Sequence, residues 1–213
     1  MKLILGTVIF LLIMGCNREI SESLPQSEIG IRQTVLDIGG GDVEKGLNHL
    51  IRLSQDKNAT ASLLIAQLLE SIGDLETSLD YLVLAANQKN PVAMKSLAVL
   101  YLKGDSLLKQ DYDKSMNWFE KSAEYRNINS MIYLGIMHRD GLGVESDIKT
   151  AYFWFTVAGL LKTPEIGNKE PVEFAKELES DILQGEVRDI IWQAEVWIKK
   201  HPPREPQSVP PLR

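Results

Sequence analysis

Between residues 91 and 162 the apolar positions are spaced for helices, and the spacing is written twice. In the first copy Ala93, Leu97, Leu100 and Tyr101 fall on one helical face and Gly104 follows. Met116, Phe119 and Ala123 then mark the face of a second run that begins after Asp111. In the second copy Leu134, Gly135, His138 and Gly141 stand 37 positions after Leu97, Ala98, Tyr101 and Gly104. Past the glycine this copy is one residue shorter, so Trp154 answers Trp118, Ala158-Gly159 answers Ser122-Ala123, and Tyr152, Phe155 and Gly159 share a face. Each copy therefore predicts two helices. Gly104 and Gly141 are placed to stop the first in a left-handed turn. Asp111 and Asp147 are placed to cap the second with a side-chain oxygen. The small residues at Ala98/Gly135 and Ser122-Ala123/Ala158-Gly159 leave room for close helix contacts.

A helix pair of this length buries its apolar face only against a neighbouring pair. The chain is expected to be all-α, a right-handed α-solenoid of about four helix-turn-helix units closed by a C-terminal capping helix pair. The clear units are 91–127 and 128–162. A weaker unit, 59–89, repeats the plan with a short turn at Gly73, and its Ser78 and Ala85-Ala86 precede Ser115 and Ser122-Ala123 by 37 positions. The first unit, 28–57, has helical runs at 29–38 and 43–53 broken by Gly39-Gly40-Gly41. A triple glycine can cradle phosphate, but no strand precedes it and no Lys-Ser/Thr follows, so it reads as a turn. In the cap, 171–201, Pro171 opens a helix to about residue 184 with Phe174, Ala175, Leu178 and Ile182 inward. Gly185 is expected to break it. Val187, Ile190, Ile191, Ala194, Trp197 and Ile198 then form one stripe, with Lys199, Lys200 and His201 at the end that favours cations. Five prolines make the tail, 202–213, extended or disordered.

The order A-x-x-x-L-G-x-x-Y-x-x-G, then G-V-x-x-D, then A-x-x-W-F/Y-x-x-A-A resembles the Sel-one-like repeat, a relative of the tetratricopeptide repeat. The first copy supplies Ala93, Leu97, Ala98, Tyr101, Gly104, Asp111, Tyr112, Trp118, Phe119 and Ala123. The second supplies Leu134, Gly135, Gly141, Gly143, Val144, Asp147, Ala151, Trp154 and Ala158. His138 replaces the repeat's tyrosine, and Leu107-Leu108 replaces Gly-Val in the first copy. The two copies cover about a third of the chain. The resemblance implies a scaffold that binds other proteins, with the first helix of each unit lining a concave face. On those helices the positions opposite Leu97 and Leu134 are Lys95, Val99 and Leu102, then Ile132, Ile136 and Arg139, with Leu64, Leu68 and Ser71 one unit earlier. These make a candidate partner-binding groove of aliphatic residues with a few polar rungs.

The N-terminus adds an address. Met1-Lys2 is a short positive start, and residues 3–15 are uncharged and mostly aliphatic, too short for the roughly 20 residues of a spanning helix and fitted to an export signal. The stretch ends in Ile13-Met14-Gly15-Cys16, which resembles a bacterial lipoprotein box, so 1–15 is expected to be removed and Cys16 acylated. An ordinary signal peptide with an incidental cysteine is the other reading. Cys16 is the only cysteine, so no internal disulfide can form. The polar stretch 16–27 reads as a tether. Asn17 is not the aspartate that holds such proteins at the inner membrane in many Gram-negative bacteria, so the resemblance implies the outer membrane, facing the periplasm.

With 23 Lys+Arg against 29 Asp+Glu, net −6, the chain is no candidate for nucleic acid or for flat docking on anionic lipid. Catalytic chemistry is thin. His49, His138 and His201 fall in separate units, none with a second ligand at metal spacing. His138 occupies the repeat's tyrosine position, either packed or lining the groove. There is no serine elbow, H-E-x-x-H or phosphate loop. Asp111, Asp113, Asp140 and Asp147 sit at helix ends, where capping is their use, and Trp118 and Trp154 recur at one repeat position, as core residues do. No cofactor or metal is expected. Three functions are carried: a lipid-anchored adaptor holding another envelope protein; an immunity protein neutralising a secreted antibacterial effector, such as a type VI phospholipase, as the resemblance allows; and an envelope-acting hydrolase, for which no residues are found.

Overall fold

The computed structural model describes residues 40–161 and 170–203, together with Ile31, Thr34 and Asp37. The signal, Cys16, the tether, residues 162–169 and the tail from 204 lie outside the described residues. Among the described residues all regular structure is helical. In order these are α1 (Val43–Gln55), α2 (Ala59–Ser71), α3 (Leu75–Asn87), α4 (Pro91–Lys103), α5 (Tyr112–Glu124), α6 (Ile128–Asp140), α7 (Ile148–Leu160), α8 (Glu170–Leu178), a 3-10 turn (Glu179–Asp181) and α9 (Gln184–Lys200). The chain divides into two compact units, with the division between Ala93 and Met94, inside α4.

Two kinds of turn alternate along the helices. Within a pair, the second helix opens on an aspartate: Asp42, Asp74, Asp111 and Asp147 accept from amides in the first turns of α1, α3, α5 and α7. Between pairs, the next helix opens on an asparagine: Asn58, Asn90 and Asn127 do the same for α2, α4 and α6. Gly41, Gly73, Gly104 and Gly141 supply the left-handed residue of the first kind of turn. In the second kind a basic residue takes that conformation, Lys57 at φ 64°, Lys89 at 72° and Arg126 at 61°. In each case its amide donates to the carbonyl three residues back, while the asparagine after it donates five residues back. That double closure normally uses glycine. A side chain there costs roughly 1–2 kcal/mol, offset in part by a cation at a helix C-terminus.

In the first unit Leu50, Ala61 and Ile65 form a buried core, flanked by Leu53, Leu64, Leu68, Leu69 and Tyr81. Beside it lies a buried polar node. Ser54 and Ser62 share a hydrogen bond of 2.7 Å, Ser62 Oγ donates to Gln88 Oε1 at 2.7 Å, and Gln88 Nε2 donates to the Ser54 carbonyl at 3.1 Å. Ser78 Oγ donates to the Ala66 carbonyl, stitching α3 to α2.

The second unit repeats these devices. Ser115 Oγ donates to the Ala98 carbonyl, and Ser130 Oγ donates to Ser122 Oγ at 2.8 Å across the α5–α6 turn. One core cluster joins Ala98, Phe119, Ala123, Met131, Leu134, Met137, Val157, Ala158 and Ala194. A second joins Ala151, Tyr152 and Phe155 to Ala175, Leu178, Ile182, Val187 and Ile190 of the C-terminal helices. Among the described residues the fully buried aromatics are Phe119 and Phe155. Trp118 and Trp154, one position earlier, are only half-buried against the first cluster. Gly135 is required by contact: a Cβ there would lie 2.6 Å from the Phe155 ring.

The C-terminal helices differ from expectation at their junction. α8 ends at Leu178, the chain passes through the 3-10 turn, and Ile182 is extended (φ −118°, ψ 137°) and buried. Gly185 lies in the first turn of α9 and breaks nothing. Burying Ile182 in the second cluster reverses the chain before the glycine is reached. The end of α9 is held by Arg126, whose guanidinium donates to the carbonyls of Ile198 and His201.

Gly135→Ala should cost about 1–3 kcal/mol in chemical denaturation, because the Phe155 ring must move. Adding Phe155→Leu should recover part of that loss. Lys57→Gly should raise stability by up to about 1 kcal/mol by relieving the left-handed side chain. Arg126→Gly should lower it instead, because the hydrogen bonds to α9 are lost with the side chain.

Candidate functional site

The expected groove residues fall on both sides of the division in α4. Leu64 and Leu68 belong to the first unit, where both are half-buried against the Leu50-Ala61-Ile65 core, and Ser71, at the end of α2, is exposed. In the second unit Lys95, Val99 and Leu102 on α4, and Ile132, Ile136 and Arg139 on α6, are likewise half-buried. Val99 and Leu102 pack on the first core cluster of that unit, Ile136 on the second, and Ile132 on both. A charge at Ile132 or Ile136 would therefore disturb the fold as well as any surface. Lys95 and Arg139 are the polar rungs.

The structure adds a residue from α8. Phe174 stacks on Phe155 with ring centroids 5.1 Å apart, and the Arg139 guanidinium lies 5.9 Å from the Phe174 centroid. Arg139 is also held by Asp140 through hydrogen bonds of 2.6 and 3.1 Å. That pairing raises the Arg139 pKa and lowers that of Asp140, and Glu177 on α8 adds to the field at Arg139. An oriented guanidinium over an aromatic ring can receive a carboxylate or a backbone carbonyl of a partner protein. The inward position of Phe174 was legible from the α8 stripe. Its place beside Arg139 was not, because it depends on how α8 meets α6.

Asp111 and Asp147 serve as caps, whereas Asp140 pairs with Arg139 and Asp113 lies in the first turn of α5, after its cap. Asp147 accepts from the Lys149 and Thr150 amides and the Thr150 hydroxyl, which hold its carboxyl below the usual range. Asp111 is lowered chiefly by the Lys114 amide and the salt bridge to that residue. Tyr101 and His138 play one structural part: their carbonyls accept from the amides of Asp111 and Asp147 at 2.8 and 2.9 Å. The His138 ring is half-buried, and burial pushes its pKa below 6.5 despite the opposing charges of Asp147 and Glu120. His49 bonds Thr34, and His201 stacks on Trp197 at 4.0 Å. Among the described residues no three His, Cys, Asp or Glu side chains are grouped to hold a metal. In the first unit, Asp37, Asp42, Glu44, Lys45, Asn48, His49 and Arg52 line a polar cleft of about 450 Å³, spanned by the Lys45–Asp37 ion pair.

The Sel1 repeat family model matches residues 91–124 and 128–161, the two stretches that carry this geometry. The chain carries two Sel1 repeats. Its structure is similar to a Sel1 repeat protein from Oxalobacter formigenes, with 20% identity, a TM-score of 0.55, and coverage of 62% of this chain and 97% of that one. It is also similar to c5321, described as a protective antigen of uropathogenic Escherichia coli strains with an SLR fold. There the identity is 19% and the TM-score 0.64, covering 94% of this chain and 46% of that one. No curated protein matches this chain. These likenesses place the fold in the α-solenoid class of Sel1 repeats, which generally mediate protein–protein interaction and are typically non-catalytic scaffolds.

Because burial favours neutral His138, the stability it contributes is full above pH 6.5 and lost as pH falls through its depressed pKa. Wild type should thus lose melting temperature below that pH more steeply than His138→Phe. Parallel profiles would show that His138 titrates alike folded and unfolded.

Proposed function

We propose that this protein is a lipid-anchored adaptor of the bacterial envelope, which binds another protein through the first helices of its Sel1 repeats. The observation that carries the reading is the pair of Sel1 repeats itself. The half-buried row on α4 and α6, with Arg139 over Phe174, supplies the apolar and charged contacts such binding uses. The address rests on the sequence alone: an uncharged stretch ending at Gly15-Cys16, followed by a polar tether, anchors the chain by acylation at the outer membrane, facing the periplasm. No helix among the described residues is long and apolar enough to cross a membrane. Asp42, Asp74, Asp111 and Asp147 cap helices, and Asp140 and Glu186 pair with Arg139 and Lys149.

The test uses the full chain as bait in solubilised envelope. The wild type should retain a specific protein that Lys95→Glu and Phe174→Ala each release, while Lys95→Glu keeps the wild-type melting temperature. Equal retention by all three would place binding elsewhere. In parallel, Cys16→Ser should leave the membrane fraction or remain uncleaved, and a Cys16→Ser protein that matures and fractionates like wild type would exclude the anchor.

A further inference from the structure

The outer face of α9 has the makings of a self-complementary contact. Its inward stripe, Val187, Ile190 and Ala194, is buried in the second unit. On the opposite side Trp192 is 64% exposed, the most open aromatic among the described residues, and it has no ring partner among them. Gly185, Asp189, Trp192, Val196 and Lys199 follow one another at steps of four and three residues, which puts them in a single seam along the helix. Gly185, Asp189 and Lys199 are exposed and Val196 is half-buried. Neither Asp189 nor Lys199 has an ion-pair partner among the described residues.

We propose that this seam pairs with the same seam of a second copy, α9 against α9 in antiparallel orientation. The occupant is identified by charge and shape. An antiparallel pair centred over residue 194 sets Trp192 of each copy against Val196 of the other. The same register sets Asp189 of each copy against Lys199 of the other. Both matches occur twice because the axis is two-fold, and an isologous contact requires one patch to complement itself. A parallel pairing would instead oppose Asp189 to Asp189 and Lys199 to Lys199. Gly185 falls near the end of the seam, where it adds no bulk. One helix of this length offers less than the roughly 1,600 Å² of a standard interface, so the dimer is reversible and depends on concentration. The contact leaves α4, α6 and the Arg139–Phe174 site untouched and is independent of the proposed adaptor role.

Sedimentation equilibrium of the full chain in density-matched detergent tests the pairing. Wild type should pass from monomer to dimer as concentration rises. Asp189→Lys and Lys199→Asp should each weaken the dimer at least tenfold, and the double exchange should return it to near the wild-type constant. Trp192→Glu should abolish it. All three positions changed are exposed, so melting curves should stay within a few degrees of wild type and exclude unfolding as the cause. A chain that is monomeric at every concentration, a dimer indifferent to Trp192→Glu, or a double exchange no tighter than the single changes would overturn the proposal. Monomers in which Trp192→Glu instead weakens capture of another protein would overturn it too, and assign the face to a different occupant.

Discussion

A thirteen-residue helix leaves four amides and four carbonyls at its ends without intrahelical partners, and alone in water it is too short to hold together. Seven such helices follow one another here, so closure of their ends is the condition on which everything else rests. The chain meets it at both kinds of turn. Aspartate caps the second helix of each pair and asparagine caps the first helix of the next. The amide of the left-handed residue closes a carbonyl at the end of each of α1 to α6, and at α4 the Asp111 amide and the Gln110 side chain take the Tyr101 and Leu102 carbonyls. Once the ends are satisfied, each helix can spend its apolar face on its neighbours.

What the faces meet is set by small residues. Ala98, Ala123 and Ala158 are fully buried, as are Ser115, Ser122 and Ser130. Their size lets helices approach, and the serine hydroxyls reach a backbone carbonyl or another serine instead of staying unpaired. Gly135 takes this furthest, accepting the Phe155 ring directly against its Cα. The large buried side chains, Phe119 and Phe155, then fill what the small ones leave. Alternating large and small residues across facing helices is how a core reaches crystal-like density without strain.

Much of this was legible in the chain itself. Helix pairs, the left-handed glycines and the Asp111 and Asp147 caps follow from spacing and turn chemistry, which are local. The Lys57-Asn58, Lys89-Asn90 and Arg126-Asn127 turns were equally local and went unread, because a basic residue does not look like a helix stop. The signal was there: the same basic-asparagine dipeptide recurs at each junction between units. Other features could not be read locally. The reversal at Ile182 before Gly185 depends on a buried site made by α7 and α9 residues. The half-burial of Trp118 and Trp154 depends on which neighbour takes the pocket beneath them, and one residue on, Phe119 and Phe155 take it.

The last helices decide what surface the repeats can present. α9 enters the core of α5–α7 through Ala194, and Trp197 meets Trp154 edge-on at 5.6 Å. Arg126, from a turn 75 residues earlier, fixes the C-terminal end of that helix by its carbonyls. With α9 held, Val187 and Ile190 complete the cluster that also seats Ala175 and Leu178 of α8. Seating α8 is what brings Phe174 beside Arg139. The charged rung of the candidate surface thus owes its orientation to a helix with no repeat signature, and through it to an arginine held left-handed at the far end of α5. The candidate surface is therefore coupled to the terminal cap, and the repeats alone do not define it.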